Sequence, residues 1–142
     1  MRYSWRIGRI FGIDFYVDSS WFLILILFTW LLATSYFPSQ LPGWPSLRLW
    51  FFGFITSLLV FASVLAHELA HSFAAIRHGD SVKSITLFIL GGVALISSEP
   101  KDPLQEFVMA VVGPLTSLFL SAIFFVGSVL GMFVSPALVA IL

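Results

Sequence analysis

The 142-residue chain contains no cysteine, which excludes a disulfide framework and any thiolate nucleophile or ligand. A bound metal would have to be held by nitrogen and oxygen. Charge is also scarce: seven basic and seven acidic side chains make up 10% of the residues and cancel to a formal net charge of zero. An ordinary soluble domain carries about 25% charged residues. The balance leaves no basic surface, so no nucleic-acid partner is expected. After Glu106 there is no charged residue at all. The chain is instead 59% hydrophobic with a mean hydropathy of +1.03, as befits an integral protein of a lipid bilayer.

Three apolar stretches are long enough to cross a membrane. At 1.5 Å per residue, span 19–37 extends about 28 Å, while span 49–76 extends about 42 Å and must tilt or protrude. Pro38, Pro42, Gly43 and Pro45 are expected to break the first helix, with Trp44 and Trp50 as interfacial anchors. The third span, 107–134, is approached through Asp102 as N-cap, Pro103 as first helical residue and Gln105 as capping-box partner. Gly113-Pro114 within it predicts a kink or a helix start, and Gly127 and Gly131 permit close helix contact.

Two segments have a different period. From Phe11 to Val17, apolar residues alternate with Gly12, Asp14 and Tyr16, which predicts a short strand with one apolar face. Segment 84–98 is too short for a spanning helix, and its Gly91-Gly92 pair marks a bend or close backbone approach. A strand, hairpin or re-entrant segment is expected there, beside a cavity that satisfies its backbone. The fold class is a polytopic α-helical membrane protein, with about three transmembrane helices plus short membrane-associated β segments, forming the N-terminal part of a larger membrane domain. Arg2, Arg6 and Arg9 ahead of a retained first span place the N-terminus and the functional side in the cytoplasm of a multi-pass cell-membrane protein.

The chemistry concentrates in His67-Glu68-Leu69-Ala70-His71, where three ionisable side chains lie inside a long apolar segment. On a helix, residues four apart are separated by about 6 Å of rise and about 40° of rotation, so both imidazoles can face one metal ion. Glu68 lies about 100° round the helix from His67, placed to act on a water without being a ligand. Burying these groups in hydrocarbon is costly unless they have partners or a task. Catalytic zinc commonly takes three protein ligands and leaves a position for water. His67 and His71 supply two, with Glu68 as general base that accepts a proton from water and returns it to a leaving amine.

The third ligand is not evident. His78 is seven residues beyond His71, more than about 10 Å away on a continued helix. Glu99, Asp102 and Glu106 cluster at a turn where solvation or capping accounts for them.

Taken together, the sequence resembles the site-2 protease family of intramembrane zinc metalloproteases, in its compact prokaryotic branch. The resemblance is carried by His67-Glu68-Leu69-Ala70-His71, by Phe88-Ile89-Leu90-Gly91-Gly92-Val93-Ala94, and by Pro103 through Glu106. Gly113-Pro114-Leu115-Thr116-Ser117 continues it in the same order. It implies Zn2+ held by His67 and His71, with Glu68 as catalytic base and a third, aspartate ligand from a later helix. No acidic residue here matches that aspartate, so the chain resembles an N-terminal fragment or a truncated homologue. The resemblance further implies cleavage of transmembrane segments of other proteins, such as anti-sigma factors or membrane-tethered regulators. C-terminal CBS domains, common in compact relatives, have no counterpart in this sequence.

Gly91 and Gly92 are candidate substrate-binding residues, since an edge strand can hold an extended peptide by main-chain hydrogen bonds. Two other readings compete: a membrane metalloprotease acting on peptides at the cytoplasmic surface, and a catalytically inactive membrane interaction or metal-transport protein.

Overall fold

A computed structural model of the chain describes residues 4–10, 12–89, 91–96, 102–131 and 136–141. In order these form β1 (Ser4–Ile10), β2 (Ile13–Asp18), α1 (Ser19–Leu31), a π-helical turn (Leu32–Tyr36), α2 (Phe37–Gln40) and α3 (Ser46–Arg77). There follow β3 (Val82–Phe88), β4 (Gly91–Ile96), α4 (Pro103–Gly131) and α5 (Pro136–Ile141). Three helical stretches are long and apolar enough to cross a membrane: Ser19–Gln40, Ser46–Arg77 and Pro103–Gly131. A mostly helical membrane fold with a small sheet is therefore present. Arg2, Phe11, Leu90, Glu99 and residues 97, 98 and 132–134, which entered the sequence expectations, lie outside the described residues.

The chain divides into two compact units. One comprises Met1–Phe22 and Ser63–Leu118. Its sheet has the order β1-β2-β3-β4, antiparallel at both outer pairs and parallel between β2 and β3. The alternation in β2 buries Ile13, Phe15 and Val17 and leaves Asp14 and Tyr16 partly open. Ile13 and Phe15 form a core with Val82 and Ile85 of the sheet and Ala75 of α3, flanked by Leu65, Leu69, Ala94 and Met109. On β4, Ala94 joins this core while Val93 and Leu95 are exposed.

β1 was not anticipated, because its arginines read as flanking charge. Arg6 instead reaches back across the hairpin to Asp14 at 2.7 Å, and Arg9 lies 3.7 Å from the same carboxylate. Asp18 caps α1, its Oδ1 accepting from the Ser20 amide at 2.9 Å and the Ser20 hydroxyl at 2.6 Å.

α3 ends in a Schellman arrangement, in which Gly79 takes φ 91° and the Asp80 and Gly79 amides donate to the carbonyls of Ala75 and Ile76. Asp102 caps α4 through the amides of Leu104 and Gln105. The Gln105 side-chain amide donates to the buried carboxylate of Asp80, 2.8 Å away, tying the start of α4 to the turn after α3.

The other unit comprises Leu23–Ala62 and Phe119–Leu142. Phe37, Leu41, Leu49 and Ala140 form its core, with Leu32, Trp44, Phe52 and Ile141 packed against them. Gly53 lets α3 approach α1 so closely that a Cβ there would stand 2.9 Å from the Thr29 carbonyl oxygen. Beside it the Thr29 hydroxyl donates to Ser57, which donates to the Gly53 carbonyl.

Two expectations about proline are corrected. The first helix does not break at Pro38 but runs on to Gln40. A proline lacks the amide hydrogen and crowds the carbonyl of the preceding turn. The π-helical turn immediately before it, where the Phe37 amide bonds to the Leu32 carbonyl, widens the helix and accommodates the ring. Of the two alternatives at Gly113-Pro114, a kink or a helix start, the start is excluded, because α4 is continuous from Pro103 through both residues.

Candidate metal centre

His67, Glu68 and His71 all lie on α3 and are partly buried. Helical spacing brings the two histidines together, with Nε2 of His71 3.0 Å from Nε2 of His67. Each ring is held from behind by α4. Nδ1 of His67 lies 2.8 Å from Oγ of Ser117, and Nδ1 of His71 donates to the main-chain carbonyl of Met109 at 2.5 Å. Metal-binding histidines are commonly oriented in this way, with the second nitrogen engaged by a neighbouring polar group.

Gly113 makes the meeting point possible. A Cβ at this position would collide with Nε2 of His71 and stand 2.6 Å from Nε2 of His67. Any side chain on α4 at this level would fill the space where the two nitrogens converge.

The same test locates Glu68. A Cβ on Gly92 of β4 would collide with Cγ of Glu68 and stand 3.4 Å from its Oε1. The carboxylate therefore lies directly against the β4 backbone, one helix position from the first histidine. Gly91, next to it, takes φ 131°, a conformation that side-chain-bearing residues rarely adopt, yet a Cβ there would meet only open space. The two glycines thus serve different ends, one conformational and one steric.

The donor set suits a borderline cation such as zinc, since two imidazoles converge through Nε2. Two nitrogens bound to one zinc ion at about 2.05 Å and a tetrahedral angle stand about 3.3 Å apart, which the observed pair approaches within a few tenths of an ångström. Among the described residues no group of three or more His, Cys, Asp or Glu gathers around one point. His78 turns back on its own helix and donates to the Ala74 carbonyl at 2.8 Å. Asp102 is engaged as the α4 cap, and Glu106 lies exposed in the first turn of α4.

Sequence reasoning singled out the histidines and the glutamate and named Gly113 and Ser117 only as part of a motif; it gave no part to Met109, to the hydroxyl of Ser117 or to the steric room at Gly113. A signal for two of these was present. Gly113 and Ser117 are four residues apart, the same spacing as His67 and His71, as expected of two helices facing each other through one pair of turns.

The family model of Peptidase family M50 matches residues 55–138, more than half of the chain. The chain belongs to Peptidase family M50. Its resemblance to site-2 proteases is thereby borne out. A Synechocystis protein named as a zinc metalloprotease is 50% identical over 117 residues, 81% of this chain and 30% of that protein. A similarly named Mycobacterium tuberculosis protein, Rip3, is 45% identical over 124 residues, 87% of this chain and 31% of the relative. Among solved structures, the site-2 protease from Methanocaldococcus jannaschii superposes with a TM-score of 0.65 at 28% identity, covering 89% of this M50 chain and 51% of that one. The chain spans about a third of the length of the curated relatives it matches.

Proposed function

We propose that this M50 chain carries two ligands and the general base of an intramembrane zinc endopeptidase that cuts transmembrane segments of other membrane proteins. One observation carries the reading: two imidazole nitrogens converge 3.0 Å apart on α3, and the neighbouring Glu68 lies against strand β4. His67 and His71 would hold the ion through Nε2. Zinc supplies Lewis acidity toward a water and a scissile carbonyl. Glu68 takes the proton of the attacking water and returns it to the amine that leaves, so the base is regenerated as the peptide bond opens. A third ligand is expected from an acidic residue other than those described here, in keeping with the resemblance to site-2 proteases.

The placement of Glu68 also supports a way of presenting substrate. A peptide bond inside a membrane helix is shielded by its intrahelical hydrogen bond, so the helix must unwind before its carbonyl can react. β4 is an edge of the sheet, with β3 on one side and no strand on the other among the described residues. An unwound segment pairing along it, past Gly91 and Gly92, would run beside the Glu68 carboxylate. Substrates of this class include anti-sigma factors and membrane-tethered regulators, and the N-terminal arginines favour a cytoplasmic active-site side.

Zinc content of the detergent-purified chain tests the ligand assignment. Near one zinc in wild type, a large loss in His67→Ala and retention in Glu68→Gln are expected. Little zinc in every form would mean that these residues do not hold the ion in this chain. For the reaction, a longer protein containing this chain should cleave a transmembrane substrate and lose that cleavage in Glu68→Gln. Cleavage of soluble peptides alone would reject the intramembrane reading.

A further inference from the structure

Gly8 of β1 is a glycine that its own chain does not require. It pairs with Phe15 across the hairpin, so a side chain there would share the core face of the sheet. Gly8 does not take the positive φ that Gly12 and Gly91 adopt, and a Cβ built on it meets nothing within 4 Å. The room it leaves belongs to an open cavity of about 180 Å³ lined by Ile7, Gly8, Phe15, Tyr16, Leu65 and Leu87. A glycine inside a strand often marks the close approach of a ligand. This cavity is separate from the metal centre: Leu65 stands about 200° round α3 from His67, and no residue of β4 lines it.

Depth and charge identify the occupant. α3 has 32 residues and so extends about 48 Å, exceeding a hydrocarbon layer of about 30 Å by about 18 Å. Leu65 lies about 18 Å before Arg77 along this helix. Even if the whole excess protruded at the Arg77 end, the cavity would still reach the edge of the hydrocarbon. β1 also exposes Trp5 and Ile7, and the Trp5 ring meets Phe22 in the first turn of α1 at 6.0 Å, where interfacial tryptophans collect. On the opposite face of β1, a bulge at Ile7 brings Arg6 and Arg9 together, across from Tyr16 and Asp14. Both arginine side chains are more than half exposed. Arg6 donates to Asp14, and Nε of Arg9 donates to the Gly12 carbonyl. Two guanidiniums thus stand against one carboxylate, which leaves positive charge beside an apolar cavity.

We infer that this hairpin binds one anionic phospholipid of the surrounding bilayer, with an acyl chain in the Gly8 cavity and its phosphate on Arg6 and Arg9. Apolar cavities of similar size stay dry and take up small apolar groups, and in a bilayer the group at hand is hydrocarbon. Guanidinium matches phosphate in charge and geometry.

The test is native mass spectrometry of the whole chain, stripped of lipid in detergent and titrated with phosphatidylglycerol or phosphatidylcholine. Wild type should take up one phosphatidylglycerol about fivefold more tightly than phosphatidylcholine, the effect of one unbalanced basic residue. Gly8→Leu fills the cavity and should weaken uptake of both lipids more than about tenfold, since the burial of several methylenes is lost. Leu65→Phe fills the same space from α3 and should act alike. Arg9→Gln should keep phosphatidylcholine uptake and lose the preference. Equal wild-type affinity for the two lipids overturns the inference, and so does unchanged phosphatidylglycerol affinity in either folded cavity-filling variant. Displacement of the lipid by inorganic phosphate would make the ligand a free anion and overturns it as well. The comparison of two lipids on wild type decides the matter even if neither filled variant folds.

Discussion

Gly113 of α4 and His67 of α3 approach so closely that a Cβ on the glycine would stand 2.6 Å from the histidine's Nε2, while colliding with Nε2 of His71. Two opposing effects follow from Gly113→Ala. Alanine favours a helix interior over glycine by about 0.8–1.0 kcal/mol. The methyl group, however, must displace one or both rings. The expected outcome is a folded protein, at least as helical by circular dichroism, whose zinc content falls to a small fraction of wild type. Wild-type zinc content in Gly113→Ala would show that the contact does not govern the site.

Glu68 and Gly92 make a second such pair. A methyl at residue 92 would collide with Cγ of Glu68, so Gly92→Ala should displace the carboxylate without touching either imidazole. Zinc content should hold, and, with Glu68 as the proposed base, cleavage by a longer protein containing this chain should fall by about 10²- to 10⁴-fold, the usual contribution of a general base. Gly91→Ala should act differently, because its difficulty is the φ of 131° rather than crowding. Its effect is expected on hairpin stability, at about 1–3 kcal/mol, read by thermal unfolding in detergent.

Asp102 is acidic and lies downstream of the histidines, yet its carboxylate accepts from the Leu104 and Gln105 amides at 2.7 and 3.1 Å. Asp102→Ala should cost about 1 kcal/mol of stability, the ordinary loss of an N-cap. Zinc content should not change. Loss of zinc with unchanged stability would make Asp102 a ligand and overturn its assignment as a cap.

In the unit built around Phe37, Gly53 faces main-chain atoms rather than a flexible side chain, with a Cβ at 2.9 Å from the Thr29 oxygen and 3.2 Å from the Ala33 nitrogen. Backbone cannot swing aside, so Gly53→Val should force α1 and α3 apart locally. The cost is expected at about 1–3 kcal/mol, that of overpacking a well-packed contact. Thermal unfolding in detergent reads it, and a melting temperature equal to wild type would contradict the close approach.

Much of the site was legible because it is local. His67 and His71 meet through the period of one helix, and Glu68 is adjacent to the first of them. The Ile13, Phe15 and Val17 alternation showed the buried face of β2 for the same reason. β1 was obscured because Arg6 and Arg9 look like solvated flanking charges until Asp14 is seen opposite them. Pro38 misled because a proline in isolation predicts a break, whereas the π-helical turn before it removes the conflict.

The sequence by itself determined the membrane class, the helical pair of imidazoles and the adjacent carboxylate, since these follow from composition and from spacing within one element. Only the tertiary structure decided what stands behind each imidazole and what faces Glu68. Met109, Gly113 and Ser117 are separated from the histidines by 38 to 50 positions, and Gly92 belongs to a strand rather than a helix. No periodicity along the chain encodes contacts of that range. They arise when β4 and α4 pack against α3, and glycine at residues 92 and 113 leaves the room those contacts need.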